Sequence, residues 1–103
     1  MGIELRPGDR FRSAVCSTEV VVVKAPSAAV DLRCGGAGVL RADEEAPAGG
    51  VLDPAHAAGS LIGKRYTDGA ELEVLCSKAG DGSLSVGETD LEIKGAKPLP
   101  ASD

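Results

Sequence analysis

The sequence predicts a small all-β domain, an antiparallel barrel or sandwich with a flexible central loop. Three observations carry this. Gly and Pro punctuate the chain throughout, with 14 glycines and 6 prolines in 103 residues, and no long stretch keeps a helical period. Short runs are rich in β-branched residues, above all the four consecutive valines Val20 to Val23, which resist helix and suit a strand covered on both faces. Near the C-terminus, Leu84-Ser85-Val86 and Leu91-Glu92-Ile93-Lys94 alternate apolar and polar, as half-buried antiparallel strands do.

Element by element, the first strand is read over Arg10 to Val15, with Phe11, Ser13 and Val15 on one face. Ser17-Thr18 is a turn into the strand Glu19 to Lys24, which Ala25-Pro26-Ser27 ends. The third strand, Ala29 to Cys34, places Val30, Leu32 and Cys34 on one side and Asp31 and Arg33 on the other. From 42 to 60 the core periodicity disappears. This stretch is read as a mobile insertion, with Asp53 capping one short helical turn over Pro54 to Ala58.

Order returns with strands over Leu61 to Thr67 and Ala70 to Ser77, joined through the turn-forming Asp68-Gly69. Ala79-Gly80-Asp81-Gly82 and Gly87-Glu88-Thr89 bound the last two strands, which makes the C-terminal third a four-strand meander. The tail 97–103 is read as extended. The result is one domain over 1–103, structured at about 8–41 and 61–95, with seven short strands.

The core is thin. Val, Leu and Ile number 23, and Phe11 and Tyr66 are the only aromatics. Burying such a side chain fully yields roughly 1.5–3 kcal/mol, set against an ordering cost of order 100 kcal/mol for a chain of this size. Either the ordered core is smaller than the chain, or self-association, as in a homodimer, buries further surface.

Composition narrows the function. The net charge is −5, with 16 acidic and 11 basic residues. The basic stretch Arg6 to Arg12 is interrupted by Asp9, and stacking aromatics are nearly absent, so nucleic-acid binding is not expected. No apolar run nears the ~20 residues of a membrane helix. The start has no apolar h-region, and the cysteine count is odd. Together these lead to the expectation of a cytoplasmic protein with reduced thiols.

Chemistry-bearing residues are few. Seventeen residues separate Cys16 from Cys34 and forty-one separate Cys34 from Cys76. No C-x₂-C knuckle is formed, so a zinc site needs Cys16, Cys34, Cys76 and His56 from four separate segments. Cys34 and Cys76 share strand parity with apolar neighbours, which favours core packing. For an activated thiol, Cys34 has the best local setting, with Arg33 before it and Gly35-Gly36 after it. His56 has Asp53 three residues earlier as an orienting carboxylate. Gly35-Gly36-Ala37-Gly38 lacks the Gly-Lys-Ser/Thr of a phosphate loop. Arg65 and Tyr66 are recognition candidates, Tyr66 being equally suited to fill the core.

Several segments resemble a family of short, uncharacterised actinobacterial proteins. These are Leu5-Arg6-Pro7-Gly8-Asp9-Arg10-Phe11, Val15-Cys16-Ser17-Thr18-Glu19-Val20, Leu32-Arg33-Cys34-Gly35-Gly36, Gly63-Lys64-Arg65-Tyr66, Leu72-Glu73-Val74-Leu75-Cys76 and the ending Lys97-Pro98-Leu99-Pro100-Ala101-Ser102-Asp103. The resemblance spans both structured halves and implies no activity. The functional expectation is therefore a non-catalytic binding or accessory module for a small molecule or protein partner, with no cofactor. A thiolate zinc protein is the alternative, and an enzyme using Cys34 or His56 the third reading.

Overall fold

The computed structural model describes residues 2–45 and 50–94. The expected tail at 97–103 and part of the expected loop, residues 46–49, lie outside the described residues. What is described is all-β and antiparallel. Ten strands run β1 (Arg10–Arg12), β2 (Glu19–Lys24), β3 (Leu32–Cys34), β4 (Ala37–Gly38), β5 (Leu40–Arg41), β6 (Arg65–Thr67), β7 (Glu73–Lys78), β8 (Leu84–Val86), β9 (Thr89–Asp90) and β10 (Glu92–Ile93). They form a six-stranded sheet, β10-β6-β7-β2-β1-β5, and a four-stranded sheet, β4-β3-β8-β9. Neither sheet closes into a ring. At Val39, between β4 and β5, the chain passes from one sheet to the other, and at Leu91 it does so again between β9 and β10.

The chain also changes sheet between β2 and β3 and between β7 and β8, so the expected four-strand meander is not formed. β7 does not pair with β8, which lies in the other sheet, and β10 returns to pair with β6 rather than with its neighbour in sequence. The expected long first strand stops at Arg12. Ser13 Oγ there accepts the Val15 and Cys16 N–H groups and bends the chain away, a local competition with the ladder typical of serine. The valine strand β2 also differs from expectation. It alternates, with Val20 and Val22 buried and Val21 and Val23 only half-buried.

Both sheet orders are unchanged when each of β1–β5 is exchanged with the strand five places later. The two halves of the chain build the same unit twice. Gly8 donates to Val22 O as Gly63 donates to Cys76 O, and Val22 donates to Asp9 O as Cys76 donates to Lys64 O. Across the smaller sheet, Gly35 donates to Ser83 O and Gly87 to Asp31 O. Val21↔Leu75 and Arg33↔Ser85 pair on the approximate two-fold axis. The sequence carries the same repeat: Gly8-Asp9-Arg10-Phe11 against Gly63-Lys64-Arg65-Tyr66, and Glu19-Val20-Val21 with Lys24 against Glu73-Val74-Leu75 with Lys78.

The core lies where the halves meet. Phe11 and Tyr66, Val20 and Val74, and Leu32 and Leu84 are buried as equivalent pairs. Of the stretch expected to be a mobile insertion, residues 50–60 are tied down. Asp53 N–H bonds Gly35 O, Ser83 N–H bonds His56 O, and the buried Ser60 pairs with Gly80. The capped turn is present as a 3₁₀ turn over Pro54–His56, shorter than expected, with Asp53 accepting from Ala55 N–H. Among the described residues no helix is long and apolar enough to cross a membrane.

Candidate functional site: the Cys16–Cys34 dithiol

Two of the three cysteines meet. Cys34 ends β3 on the core side, at 1% exposure. Cys16 lies in the Ser13–Thr18 bend, partly exposed. Their sulfurs are 3.9 Å apart. The meeting has a backbone cause. After Cys34 the chain reverses through Gly35 and Gly36, both at positive φ (67° and 85°), as a tight hairpin turn requires. Gly35 also has no room for a side chain, since a Cβ there would come within 2.7 Å of Val15 Cγ2, one residue before Cys16. The bare hairpin turn is what lets the two cysteine-bearing segments approach.

The Cys16 sulfur sits in a polar cradle. Its thiol donates to Thr18 Oγ1 at 3.3 Å, and the Gly82 N–H donates to the sulfur at 3.4 Å. A Cβ on Gly80 or Gly82 would stand 3.1 Å from the sulfur, so this wall is backbone. Burial alone would raise the Cys16 pKa. Hydrogen bonds from the Ser13 and Thr18 side chains and from the Thr18 and Gly82 backbone more than offset it and bring the thiol to about 7. Burial, together with the neighbouring Cys16, pushes Cys34 up to about 11. Adjacent thiols thus have opposite tendencies.

The lowered thiol pKa is thus at Cys16 and not at Cys34, the cysteine with the better local setting in the sequence. The Arg33 guanidinium that was to activate Cys34 turns to the other face and bonds Asp31, at 2.8 Å, holding that carboxyl below the usual range. Cys76 is fully buried, and its thiol donates to Lys78 O at 3.2 Å. Burial raises its pKa. This is the core packing its strand parity predicts. His56 Nδ1 lies 3.2 Å from Asp90 Oδ1, while Asp53 serves the 3₁₀ turn, so the expected His56–Asp53 partnership is replaced by one from β9. Among the described residues no three His, Cys, Asp or Glu side chains converge as a metal site. The zinc alternative thus has Cys16 and Cys34 together but not Cys76 and His56 as a ligand set.

The recognition candidates divide. Tyr66 is buried, with its hydroxyl accepting the Leu61 N–H at 3.0 Å. Arg65 is exposed and reaches Glu73 Oε2 at 3.4 Å. Gly35 and Gly36 form the hairpin turn beside Asp53. Sequence reading missed a cleft of about 300 Å³, walled by Tyr66, Leu84, Leu91 and Ile93 and bordered by Leu61 and Asp90. Leu61 and its neighbour Ile62 are exposed at 55% and 65%. The available signal was an aliphatic pair at a turn, just before Gly63.

No family model matches the chain, and no curated protein or solved structure matches it.

Proposed function

We propose that the chain is a non-catalytic binding or accessory module on a two-sheet β sandwich, working in the cytoplasm, that holds a protein partner at the Tyr66 cleft. The observation that carries this reading is Leu61, a large aliphatic left in solvent where it lines an apolar cleft, followed in the chain by the equally exposed Ile62. An exposed aliphatic rim over a concavity suits a partner's side chain. The Tyr66 hydroxyl fixes the rim through the Leu61 N–H, so little ordering cost accompanies docking. Asp90 at the border and the net charge of −5 favour a partner segment that flanks its apolar anchor with a cation. The cleft is at the lower limit for small-molecule sites, which run from about 300 to 1,000 Å³, so a side chain is the better occupant.

The test is cross-linked capture from the native host with three baits: the natural chain, a Leu61→Asp/Ile62→Asp variant, and Val51→Asp. Val51 is 80% exposed and does not line the cleft. One dominant protein should be recovered by the natural chain and by Val51→Asp, and fall at least tenfold with the double variant, the order of loss for an anchor worth about 1.4 kcal/mol. Equal capture by all three baits overturns the reading. A native mass of twice the chain, abolished by the double variant, identifies the partner as a second copy.

A further inference from the structure

We propose that Cys16 and Cys34 are a redox pair that a hydroperoxide converts into an intramolecular disulfide, Cys16 attacking and Cys34 resolving. This goes beyond the binding reading and rests on different residues. The sulfurs are already 3.9 Å apart, in contact across segments brought together by the fold, and a disulfide bond is about 2.05 Å long. Cys16 is a half-buried residue in a surface bend and Cys34 a buried one, which makes Cys16 the thiol for an oxidant to meet and Cys34 the one to displace the product.

The fold itself does not require the pair. At the position of Cys34, the second half carries Val86, and the five-residue link from β6 to β7 that matches the six-residue Cys16 bend has no cysteine. The equivalent of Cys76 in the first half is Val22, likewise buried. Cys34 and Cys76 thus each stand where the other half has a valine, whereas Cys16 has no counterpart, so the Cys16–Cys34 contact is one that the repeat lacks.

The step balances without a metal or cofactor. The Cys16 thiolate attacks one oxygen of the hydroperoxide. An S–O bond forms, the O–O bond breaks, and the displaced alkoxide or hydroxide takes up a proton, which leaves Cys16 as a sulfenic acid. The Cys34 sulfur then attacks Cys16 Sγ. The S–S bond forms, the S–O bond breaks, and the departing hydroxide leaves as water with the Cys34 proton. Sulfur loses two electrons in total and the peroxide gains them. Two equivalents of a small thiol restore the dithiol and become a disulfide themselves. A hydroperoxide suits this site because it offers one small terminal oxygen. The Gly80–Gly82 backbone against the Cys16 sulfur suits an oxidant of that size. The cradle that favours the Cys16 thiolate and the burial that keeps Cys34 protonated make Cys16, and not Cys34, the attacking thiol at neutral pH.

The test treats the reduced chain with equimolar hydrogen peroxide and follows intact mass and peptide maps. The chain should lose two hydrogens, with Cys16 linked to Cys34 and Cys76 still open to alkylation after unfolding. Cys34→Val, which installs the residue of the second half, should stop at a Cys16 sulfenic acid trapped by dimedone. Cys76→Ser should still form the disulfide, which keeps the test open should Cys34→Val fail to fold. At pH 7 Cys16 of the folded chain should be oxidised about threefold faster than Cys16 of the same chain in urea: a thiol near 7 is about half ionised and one near 8.5 about 3%, and the lower nucleophilicity of the less basic thiolate takes back about fivefold of that gain. A disulfide that includes Cys76, or a Cys16 oxidised no faster folded than unfolded, overturns the proposal.

Discussion

The two halves of this chain share a hydrogen-bond pattern and differ in what hangs on it. Where they agree, the residues are structural. Both open on a glycine at positive φ, Gly8 and Gly63, place one aromatic on the first strand, and bury a leucine at the start of the third. Where they disagree, one half carries side chains that the other folds without. The first half gains Cys16 and Cys34. The second buries the Glu73 carboxylate with Lys94 and Arg65 around it, where the first half has Glu19, partly exposed and 3.9 Å from Lys78. It also carries Tyr66 where the first has Phe11. A repeat in one chain thus supplies its own control, because each substitution has a matched position in the same molecule.

The largest effect should come from what the halves share. Leu32 and Leu84 are each 2% exposed on neighbouring central strands. Leu32→Ala and Leu84→Ala should each cost about 2–5 kcal/mol, through lost burial plus the cavity left behind. Equivalence predicts that the two costs agree within about 1 kcal/mol in urea denaturation. A larger gap would mean that the shared ladder hides unequal packing.

Much of this was legible in advance. The alternation of Leu84-Ser85-Val86 gave its strand, the parity of Val30, Leu32 and Cys34 gave a buried face, and Asp53-Pro54 gave a capped turn, because each signal is local. The exchange of sheets at Val39 and Leu91 was not legible, since nothing in those residues distinguishes a bend from a continuing strand. The dithiol was equally hidden, as its 3.9 Å separation is set by strand pairing and not by the seventeen residues between the cysteines. The repeat is different. Gly8-Asp9-Arg10-Phe11 and Gly63-Lys64-Arg65-Tyr66 stand openly in the sequence, and reading strand by strand conceals what a comparison of halves reveals.

Acidification tests what the buried glutamate of the second half contributes. The Lys94 ammonium, which donates to the carboxylate, and the Arg65 and Lys24 charges hold Glu73 below the usual carboxylate range, against the opposing pull of burial. A carboxyl whose folded pKa is depressed stabilises the fold at pH values above its unfolded value, near 4.3, and loses that contribution as pH falls through the folded value. The melting temperature should therefore drop on acidification below about pH 4.3. Glu73→Gln should lower it at neutral pH and flatten the acid limb. An acid limb as steep in Glu73→Gln as in the natural chain would show that the second half gains nothing from its buried charge.

The smallest effect should come from the aromatic pair. Phe11 and Tyr66 occupy matched positions on β1 and β6, facing Val20 and Val74 in the same register, and both are buried. The ring is what the fold needs, and the hydroxyl is the addition of the second half. It accepts the Leu61 N–H at 3.0 Å, on the segment that leads to Ile62. Tyr66→Phe recreates the first half's residue and leaves that N–H without its partner, at an exposed position where water can replace it. The stability cost should thus be about 0.5–1.5 kcal/mol, the net value of one hydrogen bond. The local effect should exceed the global one: amide exchange at Leu61 should accelerate about tenfold while exchange at Val20 and Val74 changes only by the global loss. Unchanged exchange at Leu61 would mean that the hydroxyl does not anchor the aliphatic rim, and the difference between the two aromatics would then carry no functional weight.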